Sequence, residues 1–573
     1  MTSIRGLLGR VSFPAGLIRR ALASLALASV AVATVGCAEL PRDSAVKDGP
    51  DIGGSFNSDY LYYSPSGPVR DETKEDILAG FLNASTGPQN DFSVARQYLS
   101  PDFKAQWSPN TQVYIQNGVQ RTRFQADNSA AVSIGVSATV DALGHYLALP
   151  DGSSRVLNFK LALVKGQWRI AEAPNAIVMI RPVFDVIFHS YPVYFFDNTF
   201  GYLVPDLRWF PARASTATRL TSAVLAGPSP WLLPSIKLAM PLNTKLAIEA
   251  VTLDKRTAVV NLDLGAIKST KSQREHFKAQ LLATLSNVSG VKAVRIQVNG
   301  AELPINDFKA KNTTSGAYAP VVLTSSGLQQ LIGPSGGKLS NANSWITSYA
   351  VTDFAVSSTT NGLALMAPSG VYFARLDQPW GQPKLIDTRK SLLNPRFDKR
   401  GQLWLLGSDG ALHITDSNRK SVWSALPLKS GQSIVAFALS PEGSRLAYLT
   451  QDADGATKLL LCAVQRDATG KVVGFGNSMT INHGVGTPKD IEFSGETGLD
   501  VLATVNGTTS NLVQLTLGGD PREISTLNSA VGLMTSDDGS NVYILNAKKE
   551  VQQYRGYTWS TLMTDVVAAH MVN

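Results

Sequence analysis

The chain has 573 residues, of which 44% are hydrophobic and 17% charged, with 47 glycines and 29 prolines. This composition is that of a packed globular protein with many turns, and it excludes extensive disorder. The net charge is +8, but the first 36 residues carry four arginines and no acid. The remaining +4 is too mild, and too little interleaved with aromatic residues, for a nucleic-acid-binding protein.

The first 36 residues have the layout of a secretory signal peptide. A basic start is followed by an apolar run, residues 21–35, composed almost wholly of Ala, Leu and Val. Fifteen residues of helix extend about 22 Å, which is short of the ~30 Å hydrocarbon core that a permanent span must cross. The segment therefore predicts export of the remainder of the chain. The basic residues are Arg5, Arg10, Arg19 and Arg20.

A small residue, Gly36, directly precedes Cys37. This pair resembles the lipobox of bacterial lipoproteins, which implies that Cys37 becomes the first residue and carries S-diacylglycerol and N-palmitoyl groups. Two or three acyl chains hold a folded domain durably at a membrane, here on the outer face of the cytoplasmic membrane. Thr34 departs from the usual Leu of the motif, and the alternative is ordinary cleavage near Ala33 that leaves a free secreted thiol.

The other cysteine, Cys462, lies in the apolar run 459–464, where a free cysteine behaves as a small buried hydrophobe. With Cys37 lipidated, no internal disulfide can form.

Residues 37–75 are rich in Pro, Gly, Ser and Asp and predict a tether between the lipidated Cys37 and the first domain. Residues 76–181 predict an α+β domain: a helix from Ile77, a shorter helix at 92–99, and antiparallel strands. The order of elements, with residues 95–99 and 166–170, resembles the nuclear-transport-factor-2-like (NTF2-like) cone. The predicted strands are 131–140, 157–164 and 168–171.

Residues 182–310 predict a second α+β domain that ends in a strand and the turn dipeptide Asn299-Gly300. Its residues 225–228, 258–262, 280–285 and 298–300 resemble the GerMN domain of spore germination and sporulation proteins, for which no catalytic residues are implied. The predicted helices are 216–225 and 273–288, and the predicted strands are 246–251, 258–262 and 294–298.

Residues 318–573 repeat a unit of apolar strand, polar turn and apolar strand about every forty residues, clearest at 437–449. Five copies are recognisable, and residues 318–331 are a possible sixth. A ring of such units hides the strand edges that a single sheet would expose. The predicted architecture is therefore two α+β domains followed by an all-β propeller of five or six blades.

Motifs for catalysis and for cofactors are scarce. No two histidines have metal-ligand spacing, Gly227-Pro228-Ser229-Pro230 is not a nucleophile elbow, and no phosphate loop is present. Asp353, Asp398 and Asp490 recur with the blades, which favours turn-forming or capping roles over a catalytic pair. We predict no catalytic, metal-binding or cofactor-binding residue, and no cofactor.

Lipobox, cone, GerMN-like domain and propeller occur in this order in the LpqB family of lipoproteins from high-GC Gram-positive bacteria, which the chain resembles over nearly its whole length. The resemblance implies a partner rather than a substrate: the extracytoplasmic sensor domain of the histidine kinase MtrB, whose two-component system with MtrA serves envelope homeostasis and division. It implies a non-enzymatic accessory protein, with no nucleic-acid partner and a membrane contact through its lipid.

Two other functions stay open on the sequence. A cell-wall glycan enzyme would need two carboxylates meeting in a cleft. A ligand-binding lipoprotein would need a large apolar cavity in the cone, lined by Phe81, Trp107 and Trp168. Aromatic residues form either a contact surface or linker packing between the first two domains; they are Tyr191, Tyr194, Phe195 and Phe196, with Tyr60, Tyr62 and Tyr63 in the tether.

Overall fold

Three consecutive domains, each with its own hydrophobic core, make up the part of the chain that the computed structural model describes. The described residues are 65–572 except 151, 214, 312, 314–318, 332–336, 339–342, 379–380, 417–420, 485 and 518. The predicted leader, Cys37 and most of the predicted tether lie outside them. Within the described part, no helix has both the length and the apolar character needed to cross a bilayer.

The first domain packs its helices on a seven-stranded sheet with strand order β6-β5-β3-β1-β7, in which β2 and β4 also pair with the long strand β3. Its elements are α1 (Lys74–Ala84), 3₁₀ turns (Ala95–Tyr98 and Pro109–Thr111), α2 (Pro101–Lys104), β1 (Gln112–Gln116), β2 (Arg121–Phe124), β3 (Ser129–Asp141), β4 (Tyr146–Ala148), β5 (Ser154–Val164), β6 (Gln167–Glu172), β7 (Ile177–Ile180) and α3 (Arg181–Ile187).

The pattern of β3 explains where this core lies. Every second residue from Ala130 to Val140 is buried, and the residues between them are not, so one face of the strand packs inward. Helix α1 begins at a capping box between Thr73 and Asp76 and buries Ile77, Leu78 and Phe81 against that face.

The second domain has two sheets, ordered β10-β8-β9 and β11-β12-β13-β14. Helix α5 connects the parallel strands β12 and β13. The elements are β8 (Phe188–Asp197), β9 (Leu203–Pro211), α4 (Thr216–Ala226), 3₁₀ turns (Leu233–Ser235 and Leu264–Lys268), β10 (Ile236–Lys237), β11 (Thr252–Asp254), β12 (Thr257–Leu262), α5 (Lys271–Leu285), β13 (Ala293–Val298) and β14 (Ala301–Glu302).

One predicted strand of this domain is wrong. Residues 246–251 do not form a ladder: Leu246 makes an isolated bridge with Leu262, and the chain then bends where the Ala250 N–H donates to the Ile248 carbonyl. The strand that pairs with β12 is β11 instead, because Lys255, with a φ of 57°, closes a tight turn directly after it. The Asn299-Gly300 turn has the expected positive φ at both residues, 45° and 82°.

The third domain consists of six blade units, five with four strands and one, spanning residues 433–481, with five. The predicted multidomain fold with a terminal propeller is confirmed. Helix α6 (Asn343–Tyr349) lies between the first unit and the second. The strands are β15 (Val321–Thr324), β16 (Gly327–Gln330), β17 (Gly337–Lys338), β18 (Asp353–Val356), β19 (Gly362–Ala367), β20 (Gly370–Arg375), β21 (Lys384–Asp387), β22 (Arg396–Phe397), β23 (Leu403–Leu406), β24 (Ala411–Thr415), β25 (Ser421–Ala425), β26 (Ser433–Leu439), β27 (Arg445–Gln451), β28 (Thr457–Arg466), β29 (Val472–Phe475), β30 (Met479–Ile481), β31 (Thr487–Ser494), β32 (Gly498–Asn506), β33 (Thr509–Thr516), β34 (Pro521–Asn528), β35 (Ala530–Thr535), β36 (Val542–Asn546), β37 (Val551–Tyr554), β38 (Trp559–Met563) and β39 (Val566–His570).

The last strand closes the ring. One blade is ordered β17-β16-β15-β39, so β39 completes the sheet that β15, β16 and β17 begin. Strand β26 contacts β31, and β31 contacts β35. Strand β39 contacts both β35 and β18, and β18 contacts β22, so these strands surround the propeller axis. The sixth blade is therefore assembled from both ends of the repeat region, which is why only five copies are clear in the sequence.

Candidate functional site

Charged and hydroxyl side chains join the first two domains to the propeller. Arg400 Nη2 lies 2.6 Å from Asp197 Oδ2 of the second domain, and the Tyr194 hydroxyl donates to Glu496 Oε2 at 2.7 Å. From the first domain, Arg181 Nη1 lies 2.5 Å from Asp520 Oδ2. Asp197 is 1% exposed, so the Arg400 pair belongs to a packed interface, whereas the Asp520 carboxylate is exposed.

All these propeller residues lie on the same face of the ring. Arg400 follows the inner strand β22, and Glu496 follows the inner strand β31. Asp520 follows β33, which runs in the same direction as β31 because each alternates with its antiparallel neighbour β32. The first two domains therefore cover the face at which the inner strands end.

The opposite face, at which the inner strands begin, opens into a pocket of about 320 Å³ on the propeller axis. We call this the free face. Every inner strand contributes at least one residue within or beside its first three positions, so the pocket forms only when the ring closes. Its lining includes Thr352, Asp353, Asn394, Arg396, Phe437, Lys489, Asp490, Val531, Leu533, Val567 and His570.

A cluster of charged side chains lies along the axis. Arg396 Nη1 lies 2.6 Å from Glu492 Oε1, and His570 Nε2 lies 2.5 Å from Asp353 Oδ1. Asp490 accepts hydrogen bonds from the main-chain N–H groups of Ile491 and Leu533 at 2.9 and 2.8 Å. The axis therefore holds three carboxylates together with one guanidinium and one imidazole.

Burial changes the protonation of this cluster. It raises the pKa of Glu492 to about 7 even though Arg396 opposes the shift, and it raises the pKa of Asp490. Burial alone would lower the pKa of His570, but the Asp353 carboxylate outweighs it and leaves the pKa raised. Burial therefore disfavours the charged forms of Glu492 and Asp490.

The free face also exposes apolar side chains around the pocket. Val531 is 53% exposed and Val567 45% exposed, and both line the pocket. Val505, at the end of β32, is 45% exposed on the same side of the ring. Exposed apolar side chains around a polar pocket are typical of a surface that contacts another macromolecule.

The three aspartates considered for catalysis have different surroundings. Asp398 accepts from the Arg400 and Gln402 N–H groups, as a turn cap does, and also pairs with Arg466 at 2.7 Å. Asp353 and Asp490, in contrast, lie at the axial pocket. No group of three or more His, Cys, Asp or Glu side chains in the described part of the chain is arranged to hold a metal ion.

Cys462 lies in β28 with no exposed surface, and burial raises the pKa of its thiol to about 12. It is an unreactive core residue.

The aromatic residues named from the sequence have three different surroundings. Phe81 and Trp107 are each 1% exposed, and their ring centroids are 5.1 Å apart, so they fill the core of the first domain. Trp168 is half-buried, with the Lys74 ammonium 5.0 Å from its ring centroid. Phe195 is buried in the second domain, whereas Tyr194 reaches the propeller.

A second cavity, of about 580 Å³, lies where the three domains meet. Its walls include Leu147 from the first domain, Leu207 and Trp231 from the second, and Met479 and Leu517 from the propeller. The sequence gives no sign of this cavity, because its walls come from segments hundreds of residues apart. Arg396, Glu492 and His570 were missed for a similar reason, since ring closure alone brings them together.

Each of the three domains matches a known protein-family model. Residues 67–185 match the family model of the lipoprotein LpqB N-terminal domain, and residues 192–304 match that of a sporulation and spore germination domain. Residues 329–570 match the model of the lipoprotein LpqB beta-propeller domain.

Among curated relatives, lipoprotein LpqB of Bifidobacterium longum is 25% identical over 73% of this chain and 74% of its own length. The lipoprotein LpqB of Corynebacterium diphtheriae is 27% identical over 75% of this chain and 78% of its own length. That of Cutibacterium acnes is 29% identical over 52% of this chain and 49% of its own length, so the match spans about half of that relative. Among solved structures, TolB from Acinetobacter baumannii is 11% identical over 53% of this chain and 73% of its own, with a TM-score of 0.34.

Proposed function

The chain belongs to the LpqB family of lipoproteins, and on that premise we propose that it is a non-catalytic accessory protein that binds the extracytoplasmic sensor domain of an MtrB-like histidine kinase. Binding modulates the two-component system that the kinase forms in envelope homeostasis and division. Lipidation of Cys37 holds the protein on the outer face of the cytoplasmic membrane.

The observation that carries this proposal is the free face of the propeller. The protein's own domains cover one face, whereas the other presents an axial pocket with an exposed apolar rim. A propeller face is wide enough for a standard interface of about 1,600 Å². The paired side chains between domains also pre-organise the three domains, which reduces the conformational entropy lost when a partner binds.

The mechanism requires only that the protein binds one state of the sensor domain more tightly than the other. A bound partner shifts a two-state sensor by the ratio of its affinities for the two states. Anchoring both proteins in one membrane raises their effective concentration, so a modest affinity in solution suffices at the cell surface.

The direct test uses residues 38–573, which contain the whole compact unit beginning at Tyr63. We expect this chain to bind the purified sensor domain saturably, measured by biolayer interferometry, and to change autophosphorylation of the full-length kinase in proteoliposomes. We expect a dissociation constant of about 1 μM, which corresponds to a binding free energy of about −8.2 kcal/mol. Absence of binding at sensor-domain concentrations up to about 100 μM would contradict the proposal.

A second candidate function is ligand binding in the three-domain cavity. Its volume of about 580 Å³ and its apolar walls are within the range of small-molecule sites, which often lie at domain interfaces. Leu207→Trp would place a bulky ring in the cavity and reduce the space for a ligand. A ligand carrier would then lose binding of an apolar fluorescent probe, whereas binding of the sensor domain would be retained.

A further inference from the structure

Three aliphatic side chains project into solvent together at one end of the second domain. Leu242 is 77% exposed, Leu264 60% and Ile267 58%. Exposed aliphatic residues scattered singly need no explanation, but a group of them indicates a surface that contacts something apolar. We call these three residues the aliphatic patch.

The backbone brings the three residues onto two neighbouring turns. Leu264 and Ile267 belong to the 3₁₀ turn Leu264–Lys268, in which residues three apart lie on the same face. Leu242 lies in a turn closed by a hydrogen bond from the Thr244 N–H to the Pro241 carbonyl at 3.3 Å. The Asp263 N–H donates to the Lys245 carbonyl at 2.9 Å, which sets this turn beside the start of the 3₁₀ turn.

Three lysines flank the patch. Lys245, Lys268 and Lys271 are exposed, and none of the ion pairs among the described residues uses them. The adjacent Asp263 carboxylate is engaged in capping the 3₁₀ turn, where its Oδ1 accepts from the Gly265 N–H at 3.0 Å. Glu249 is exposed, and Glu275, one helical turn after Lys271, accepts a hydrogen bond from Asn306 Nδ2 at 3.0 Å. The patch is therefore aliphatic at its centre and basic at its border.

We propose that the aliphatic patch docks on the anionic surface of a lipid bilayer. In such a contact, leucine and isoleucine side chains enter the boundary between headgroups and acyl chains, while lysines lie at the level of the phosphates. The relatives of this chain are lipoproteins, so a bilayer is within reach of the folded domains.

The composition of the patch favours a bilayer over a protein partner. Protein interfaces are enriched in Tyr, Trp and Arg and depleted in Lys, and their energetic centres are aromatic or guanidinium groups. The patch instead combines Leu and Ile with Lys. Docking would add a second membrane contact to the lipid anchor and would fix how the three-domain body is oriented above the membrane.

The test is co-sedimentation of unlipidated residues 38–573 with vesicles of phosphatidylglycerol or of phosphatidylcholine. We expect binding to phosphatidylglycerol vesicles that weakens with salt, and weaker binding to phosphatidylcholine. The double variant Leu264→Ser/Ile267→Ser should lose about tenfold in affinity. Lys245→Gln and Lys268→Gln should each lose about fivefold on the anionic vesicles, as expected for about 1 kcal/mol per lysine.

Matched control variants lie on the outer propeller strand β21, where Lys384 is exposed and Leu385 is 45% exposed. Lys384→Gln and Leu385→Ser should leave vesicle binding unchanged. Failure of the wild-type chain to bind phosphatidylglycerol vesicles would overturn the proposal. Patch variants that keep a normal melting temperature and bind vesicles as well as the wild type would also overturn it. If those variants lost binding to the sensor domain instead, the patch would be assigned to a protein partner.

Discussion

At the scale of single residues, Asp500 shows how a buried carboxylate affects stability. It is 1% exposed in β32 and accepts hydrogen bonds from the Thr535 hydroxyl at 2.9 Å and from Gln514 Nε2 at 3.3 Å. Burial raises its pKa to about 6. The folded protein therefore holds this proton more tightly than the unfolded chain, and the contribution of Asp500 to the free energy of unfolding falls as pH rises from about 4 to about 6.

Asp500→Asn should accordingly raise the melting temperature at pH 8, because an amide of the same shape has no charge to bury. The gain should disappear at pH 4, where wild-type Asp500 is already protonated. Asp467→Asn provides a contrast, since a hydrogen bond from Thr469 lowers the pKa of that exposed carboxyl. It should be neutral or destabilising at pH 8. A stabilisation by Asp500→Asn of equal size at both pH values would contradict this explanation.

At the scale of elements, β39 is the strand on which the propeller depends. Val566 has no exposed surface, whereas its neighbour Val567 is 45% exposed because successive side chains of a strand point to opposite faces. Val566→Asp should lower the free energy of unfolding by at least about 3 kcal/mol, because it buries an unpaired charge.

Val567→Asp introduces the same charge at the neighbouring exposed position, so it tests whether burial causes the destabilisation. It should change the free energy of unfolding little. Urea denaturation of both variants is the measurement. Equal destabilisation by the two variants would show that β39 does not occupy the inner position in the ring.

Elements with strong local patterns were predictable from sequence, and those that depend on distant segments were not. Alternation in β3 and the helical stripe of α5 follow from local periodicity. The long hairpin of β8 and β9 was missed because both of its faces are largely covered, which removes the alternation. The axial cluster was missed because Arg396 and His570 are 174 positions apart in the chain and meet only after ring closure.

At the scale of the whole molecule, charged contacts between the domains hold the three domains together. Arg400 pairs with Asp197, which is almost completely buried. Arg400→Met should therefore destabilise the protein by about 3 kcal/mol, because the aspartate is left without its cation. The exposed pair of Arg375 and Asp377 lies within one blade, and Arg375→Met should cost less than about 1 kcal/mol.

Hydrogen exchange separates local from global effects of these variants. In Arg400→Met, we expect faster exchange at residues 197–202 and at the turn after β22, with the blade cores unchanged. Unchanged exchange at both segments would show that the pair does not hold the second domain to the propeller.

The central claim is that the free face of the propeller binds the sensor domain. The most direct measurement is the affinity of residues 38–573 for that domain when lysine replaces a rim residue, as in Val531→Lys and Val567→Lys, with Leu385→Lys on the outer strand β21 as the matched control. We expect at least a tenfold loss of affinity for both rim variants and no loss for the control. Wild-type affinity in both folded rim variants would contradict it.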